Sequence, residues 1–335
     1  MIREEKRLYF APLEGITGYT FRRVHAQCFP GLDAYFSPFL SPNQHHAVNP
    51  KEKRDILPEN NAGLLLVPQV LTNKSEYLLR TARELKVKYG YEEVNLNLGC
   101  PSKTVVSKGK GAGFLGEIQK LHTFFEEVFA EYTADGGKSL PKLSVKTRLG
   151  MEDVQEWKEL VALYNEYPIS ELIVHPRVQK DYYKGTPHLD AFAYAVENSR
   201  HSLCYNGDIN TLKDYVKLTK EFPTVRKFMM GRGLLRNPAL AMEIQAYEAC
   251  TAQGGNWMGY LVPTELLKKY HDRLYAGYLE QMSGDTNVLF KMKELWVYFG
   301  DLFPEQERQI KKLKKANKLS EYEKEAEEFW LTNSP

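Results

Sequence analysis

Eight short apolar or β-branched runs alternate with stretches of helical periodicity, and the chemically unusual side chains stand where those runs end. Alternating strands and helices make parallel βαβ units, and eight of them closed on themselves make a TIM (β/α)8 barrel, an α/β fold. The rival doubly wound sheet wants a glycine-rich turn after the first strand, and APLEG at 11–15 is not GxGxxG.

In chain order the predicted strands are RLYFAP near residue 9, DAYFSP near 36, LLLVPQV near 67 and EEVNLNLG near 95. KLSVKTR near 145, ELIVHPR near 173, SLCYNGD near 204 and KFMMGRG near 229 complete the set. Between them, residues 77–89 (YLLRTARELKVKY) and 154–167 (VQEWKELVALYNEY) carry a helical repeat of apolar positions. From Pro263 the chain becomes helical and strand-poor. Three regions are therefore expected: a barrel over 1–248, a linker over 249–262 that contains Gly254 and Gly255, and an all-helical domain over 263–335.

The 335 residues suit a barrel of about 250 residues with an appendix. Apolar residues at 43% supply a large core, and a net charge of +2 means that any surface for nucleic acid must come from local clustering. One such cluster is RQIKKLKKANK at 308–318, with six basic side chains and no acid, which reads either as an RNA contact or as a solvated helix face. The start MIREEKRLYF has no apolar stretch of signal-peptide type, and no run is long enough to span a membrane. Cys28, Cys100, Cys204 and Cys250 are widely spaced and form no CxxC pair, so neither a disulfide framework nor a metal site is expected, and a cytoplasmic setting is. Nothing marks an oligomeric interface, and a monomer is expected.

The strongest local signal is NLNLGCPSKTVVSKGKGAGFLG at 95–116. Cys100 directly follows a strand and precedes a proline and a glycine-rich loop. A free thiol titrates near about 8.5, so it is protonated at neutral pH and can serve as a general acid. The alternative is a small buried hydrophobe. Asn95 and Asn97 fall on one face of the strand, and Asn97 can bond a pyrimidine edge or a flavin. Lys103, Lys108 and Lys110, with Gly109, Gly111 and Gly113, make a basic loop able to meet phosphates. No GK[ST] closes it, so it is not a P-loop.

Lys146 ends the fifth strand and Arg148 follows on the same face; His175 and Arg177 repeat this on the sixth. A cation at a barrel mouth can stabilise an anionic ring. Asn206-Gly207-Asp208 and Gly231-Arg232-Gly233 end the last two strands, where barrels often bind phosphate, and Asn237-Pro238 opens the next helix.

With these motifs in place, the chain resembles the tRNA-dihydrouridine synthases. The resemblance rests on APLEGIT…FR at 11–22, VPQV at 67–70, NLNLGCPSKTV at 95–105, SVKTRLG at 144–150, IVHPR at 173–177, YNGDI at 205–209 and MMGRGLLRNP at 229–238. It implies a TIM-barrel flavoprotein with a helical RNA-binding domain. It further implies that NADPH reduces bound FMN, which passes hydride to C6 of a tRNA uridine while Cys100 protonates C5. Pro12, Leu13, Glu14, Gln69, Lys146, His175, Asn206, Gly207, Asp208, Gly231 and Arg232 would then surround FMN. Asn97, Arg148, Arg177, Tyr183, Lys103, Lys108 and Lys110 would meet the RNA. Gly18 stands where the family usually has Asp, Val178 where Thr is common and Asp181 where Gln is common, all on the substrate side. The same chemistry on ribosomal RNA, or an FMN barrel reductase of small molecules, are the alternatives left open.

Overall fold

The computed structural model describes residues 5–333. The first four residues of the N-terminal reading, and the outer limits of the first and last regions, lie outside them. Two compact units emerge among the described residues: one comprises 5–14, 33–207 and 219–229, the other 15–32, 208–218 and 230–333.

The first unit carries a parallel sheet. Its strands are β1 (Arg7–Phe10), β2 (Ala34–Phe36), β3 (Leu66–Val67), β4 (Gln69–Val70), β5 (Glu93–Leu98), β6 (Lys142–Thr147), β7 (Leu172–Val174), β8 (Leu203–Asn206) and β9 (Lys227–Met230). Their spatial order is β3-β2-β1-β9-β8-β7-β6-β5-β4. The two ends of that order, β3 and β4, are separated in the chain only by Pro68, so the sheet closes on itself. Proline has no N–H to give to a ladder, which is why one expected strand registers as two. Its carbonyl still accepts from Asn95 N at 2.9 Å.

Helices follow the strands as the apolar spacing requires. The helix Ser75–Tyr89 buries Leu78, Thr81, Ala82 and Leu85, a stripe at i, i+3, i+4 and i+7. The helix Ile118–Asp135 does the same with Leu121, Phe124, Phe125, Val128 and Phe129. The repeat expected over 154–167 forms the shorter helix Glu156–Tyr164, with Glu156 Oε1 and Oε2 accepting the backbone N–H groups of residues 151–153.

Register fixes what points into the barrel. Asn97, Lys146, Ile173 and Cys204 are successive partners across β5 to β8. Side chains alternate between faces, so Asn95, Ser144, Glu171 and Asn206 share that inward face with them. Tyr9, Ala11, Ala34, Phe36, Val67, Ile173, Cys204 and Met229 form a buried cluster on it. At the strand starts, buried Glu171 receives Lys227 Nζ and the Tyr9 hydroxyl.

The second unit is helical. Its principal helices are Tyr19–Cys28, Leu240–Ala252, Thr264–Gln281, Asp285–Phe299, Glu307–Lys315 and Leu319–Asn333. Residues 253–263 hold neither helix nor strand. Its core is aromatic: Trp296 meets Phe299, Phe329 and Trp330, and the Tyr322 hydroxyl lies 2.7 Å from His271 Nε2 and accepts Trp296 Nε1–H at 2.8 Å. Among the described residues, no helix is long and apolar enough to cross a membrane.

Candidate active site

At the C-terminal end of the barrel strands a buried amide network leads to the cysteine. Gln69 Nε2 donates to Asn95 Oδ1 at 2.8 Å, and Asn97 Nδ2 donates to Gln69 Oε1 at 2.7 Å. Asn95 Nδ2 continues to Ser144 Oγ at 3.0 Å. Asn97 Oδ1 accepts from Gly99 N at 3.0 Å and from Cys100 N at 2.9 Å. Buried amides cost free energy unless bonded, and here each spends its groups on its neighbours. The network fixes the turn on which Cys100 stands.

The rest of that turn is tied as firmly. Arg148 Nε donates to Gly99 O at 2.9 Å, Ala112 N to Cys100 O at 3.0 Å, and Gln179 Nε2 to Pro101 O at 3.1 Å. The basic loop folds back on the cysteine at Gly111, whose φ is +55°. A side chain there would bring its Cβ to 2.9 Å from Cys100 O and 3.0 Å from Cys100 Cβ, so only glycine fits.

The Cys100 thiol is half-buried. Burial, the largest influence, raises its pKa above the ordinary thiol value; Glu14 adds to this, while Ser102 N–H, Arg148 and Lys146 pull the other way. The outcome is a thiol that stays protonated at neutral pH and so has a proton to give.

Lys146 stands half-buried on the inward face beside Asn97. Burial and the nearby Arg148 guanidinium lower its pKa from 10.5 to about 8. Among the described residues no acceptor meets its ammonium. An unpaired cation held in a barrel mouth suits a carbonyl or an anionic ring brought by a ligand.

The two arginines expected to meet RNA are placed beside these groups but are buried, at 1% and 0% exposure, and their donors go to backbone carbonyls. Arg148 Nη1 reaches Val178 O at 2.9 Å and Nη2 reaches Tyr182 O at 2.6 Å. Arg177 Nη2 reaches Gly185 O at 2.6 Å and Nε reaches Lys184 O at 3.3 Å, while its Nη1 lies 3.4 Å from His175 Nε2. Together they shape the loop 178–185. On that loop Tyr183 is half-exposed, with the Arg148 guanidinium 5.4 Å from its ring and the His175 ring 6.2 Å away. Asp181, a departure from the family pattern, accepts Val178 N at 3.0 Å and lies 3.1 Å from His188 Nε2, so it builds the turn.

Pro12 and Leu13 are half-buried and Glu14 is exposed just beyond β1. Asn206 Nδ2 donates to Met229 O at 2.8 Å. At Gly207 a Cβ would lie 3.3 Å from the Tyr205 hydroxyl and 3.4 Å from the His175 ring, so the position is closely packed. In the second unit, Arg232 pairs with Asp208 at 2.8 Å, and Gly231 starts the helix Arg232–Arg236. Gly18, another departure, starts the helix Tyr19–Cys28 with no side-chain cap, where an Asp would supply one. Asn237 ends the helix Arg232–Arg236, and the next helix begins at Leu240.

Gln179 is the residue that reading the sequence missed. Its partner, Pro101 O, lies 78 positions away in the chain, and nothing local marks it. The one available signal was its place between Arg177 and Tyr183.

A parallel barrel whose strand ends gather a protonated thiol, a lysine that forms no ion pair among the described residues and a tightly braced loop has the architecture of a (β/α)8 enzyme with its reactive groups at the mouth. The model of the dihydrouridine synthase (Dus) family matches residues 9–333, and the chain belongs to that family. The resemblance carried by the motifs is thereby confirmed. A probable tRNA-dihydrouridine synthase of Staphylococcus aureus (strain COL) is 30% identical over 235 residues, covering 68% of each chain. A tRNA-dihydrouridine synthase B of Pasteurella multocida (strain Pm70) is 27% identical over 237 residues, covering 70% of this chain and 68% of its own. Among solved structures, the old yellow enzyme from Trypanosoma cruzi superposes with a TM-score of 0.53 at 10% identity, over 83% of this chain and 94% of that one. A 2-naphthoyl-CoA reductase gives 0.55 at 10% identity, over 72% and 50%. These two likenesses show the barrel fold alone.

Proposed function

We propose that this enzyme reduces uridines of tRNA, in the D-loop, to 5,6-dihydrouridine, with FMN as its bound cofactor and NADPH as reductant, and that it acts in the cytoplasm. The observation that carries the reading is Cys100, braced at a strand end and held protonated beside Lys146. The curated relatives bear the name of the same reaction.

The mouth fits a flavin. Among the described residues no acceptor meets the Lys146 ammonium, and Gly207, without a side chain, stands against the His175 ring. Pro12, Leu13, Glu14, Gln69, Lys146, His175, Asn206 and Gly207 would hold the ring system. Asp208, Gly231 and Arg232, which follow β8 and β9 in the chain, are assigned to its phosphate. When bound, FMN supplies the hydride that C6 of the uracil receives.

The protein's own part is to bind, orient and protonate. Cys100 Sγ–H gives its proton to C5, so that the C5=C6 double bond becomes single, and the thiolate regains a proton from water. Burial of the thiol keeps it protonated until the uracil arrives. Lys146 holds negative charge at the ring edge. Asn97, Arg148 and Arg177 act on RNA through the loops they brace, whereas Tyr183 and Lys103, Lys108 and Lys110 face the strand directly. Uridine in folded RNA is stacked and must be drawn out to enter such a mouth.

The test is fragment mapping by mass spectrometry of tRNA from a strain lacking the gene. Loss of the two extra hydrogens at one D-loop uridine is expected. A full set of tRNA dihydrouridines, with a loss in ribosomal RNA instead, would move the target to that RNA.

A further inference from the structure

Three lysines stand on neighbouring loops at the catalytic end of the barrel. Asn73 and Lys74 follow β4; Lys108 and Lys110 lie on the loop after β5, the strand beside it. The two loops are tied together by Asn73 Nδ2, which donates to Lys108 O at 3.1 Å. Among the described residues, none of Lys74, Lys108 and Lys110 forms an ion pair. Lys74 Nζ rests 4.9 Å from the centre of the half-buried Tyr77 ring, a weak contact. The carboxylate of nearby Glu127 takes the Ser75 hydroxyl instead of a lysine.

Lys110 is half-buried, and burial together with Lys108 and Lys74 lowers its pKa. A partly desolvated cation near two like charges is an unfavourable arrangement for the protein alone. It becomes favourable once an anion sits among the three. The loop that carries Lys110 is itself packed on the cysteine turn through Gly111, the next residue.

We propose that Lys74, Lys108 and Lys110 form a seat for a backbone phosphodiester of the RNA strand that carries the target uridine. The proposal rests on the RNA-reducing function above and adds Lys74 and the loop after β4 to the substrate surface. The seat clamps the strand through charge, without reading sequence, while the mouth takes the base. Phosphate chemistry also exists on NADPH, so the two sources must be separated.

The experiment measures binding of tRNA by fluorescence anisotropy across a salt series, using the flavin-loaded enzyme, and in parallel the KM for NADPH in flavin reduction. Lys74→Gln with Lys110→Gln should weaken RNA binding about tenfold and make the log–log salt dependence shallower by about 1.5, with the KM for NADPH unmoved. Lys88→Gln, on the helix Ser75–Tyr89 and paired with Glu84, serves as the control for bulk charge. Equal weakening by that control, or a raised KM for NADPH with RNA binding intact, overturns the seat. So does a wild-type enzyme that fails to bind RNA. If the wild type binds RNA and the double variant loses the slope, the seat stands even where no dihydrouridine is formed, and only the reaction falls. Lys110→Gln alone should not lower the Tm of the ligand-free protein; a clear fall would mean that the lysine stabilises the fold and is no anion seat.

Discussion

Residues 103–110 and 307–315 both carry runs of lysine, yet their surroundings differ. In the helix Glu307–Lys315, Lys311 pairs with Glu307 at 2.6 Å, and Lys312 pairs with Glu325 at 3.3 Å and with Glu328 at 3.9 Å. In the loop after β5 no lysine meets a carboxylate among the described residues. The helical run spends part of its charge on its own unit; the loop run, among the described residues, leaves its charge unpaired. Charge counted along a sequence therefore says less than charge left over after folding.

The same contrast separates arginine from lysine in the mouth. Arg148 is consumed by carbonyls of the two neighbouring loops and Arg177 by carbonyls of its own, whereas Lys146 and Lys110 form no ion pair among the described residues. Guanidinium forks suit several fixed carbonyls at once, and a lysine ammonium suits a ligand that comes and goes.

The largest effect should come from the thiol. Cys100→Ala is expected to lower reduction of RNA about 10²–10⁴-fold while NADPH still reduces the flavin, because only the proton donor is lost. Single-turnover measurement of the two half-reactions separates these steps. Full turnover on RNA would remove Cys100 from the chemistry and reduce the contrast to one of packing.

The bracing comes next. Gln179→Leu leaves Pro101 O without its buried donor and lets the cysteine turn drift. About a tenfold loss in the RNA half-reaction is expected, with alkylation of Cys100 altered and flavin reduction retained. An unchanged RNA half-reaction would make Gln179 a packing residue only.

A pH profile tests the free cation. Lys146, with its pKa lowered to about 8, is charged below that pH and neutral above it. If the charge assists the reaction, the RNA half-reaction must fall as pH rises through about 8, and the raised thiol of Cys100 adds its own loss at higher pH. Lys146→Arg should push the first limb upward. A rate that stays level from pH 7 to well above 9 would show that the lysine charge has no part in it.

How much of this was legible in the sequence follows from how local each feature is. The strands were readable because apolar runs ending in Gly, Pro or polar clusters are local signals, and the inward alternation that gathers Asn95, Asn97, Lys146 and Asn206 follows from period two alone. Pro68 breaking one strand in two was visible as a residue but not as an interruption, since the runs on either side read as one. Cys100 was legible as a residue in an exceptional setting. What holds it was not: Gly99 to Arg148 spans 49 positions and Pro101 to Gln179 spans 78, and no periodicity encodes such pairs. The basic run at 308–318 could not be divided into paired and unpaired lysines, because the carboxylates that pair with Lys312 come from the next helix.

That division yields the smallest and sharpest prediction. Lys312 is held by two glutamates, whereas Lys314 and Lys315 have no ion pair among the described residues and stand exposed in the last turn of the helix. If the helical unit contacts RNA through this face, Lys314→Gln with Lys315→Gln should weaken tRNA binding about threefold and make the salt dependence shallower by about 1. Lys312→Gln should change RNA binding less and cost up to about 1 kcal/mol of stability, since exposed ion pairs contribute little. A salt titration of the two variants beside a urea melt distinguishes them. Equal losses of affinity would mean that pairing does not withdraw a lysine from RNA, and that the difference between the two lysine runs is one of position alone. No loss from either would return the run to a solvated helix face and leave the barrel loops as the principal electrostatic contact.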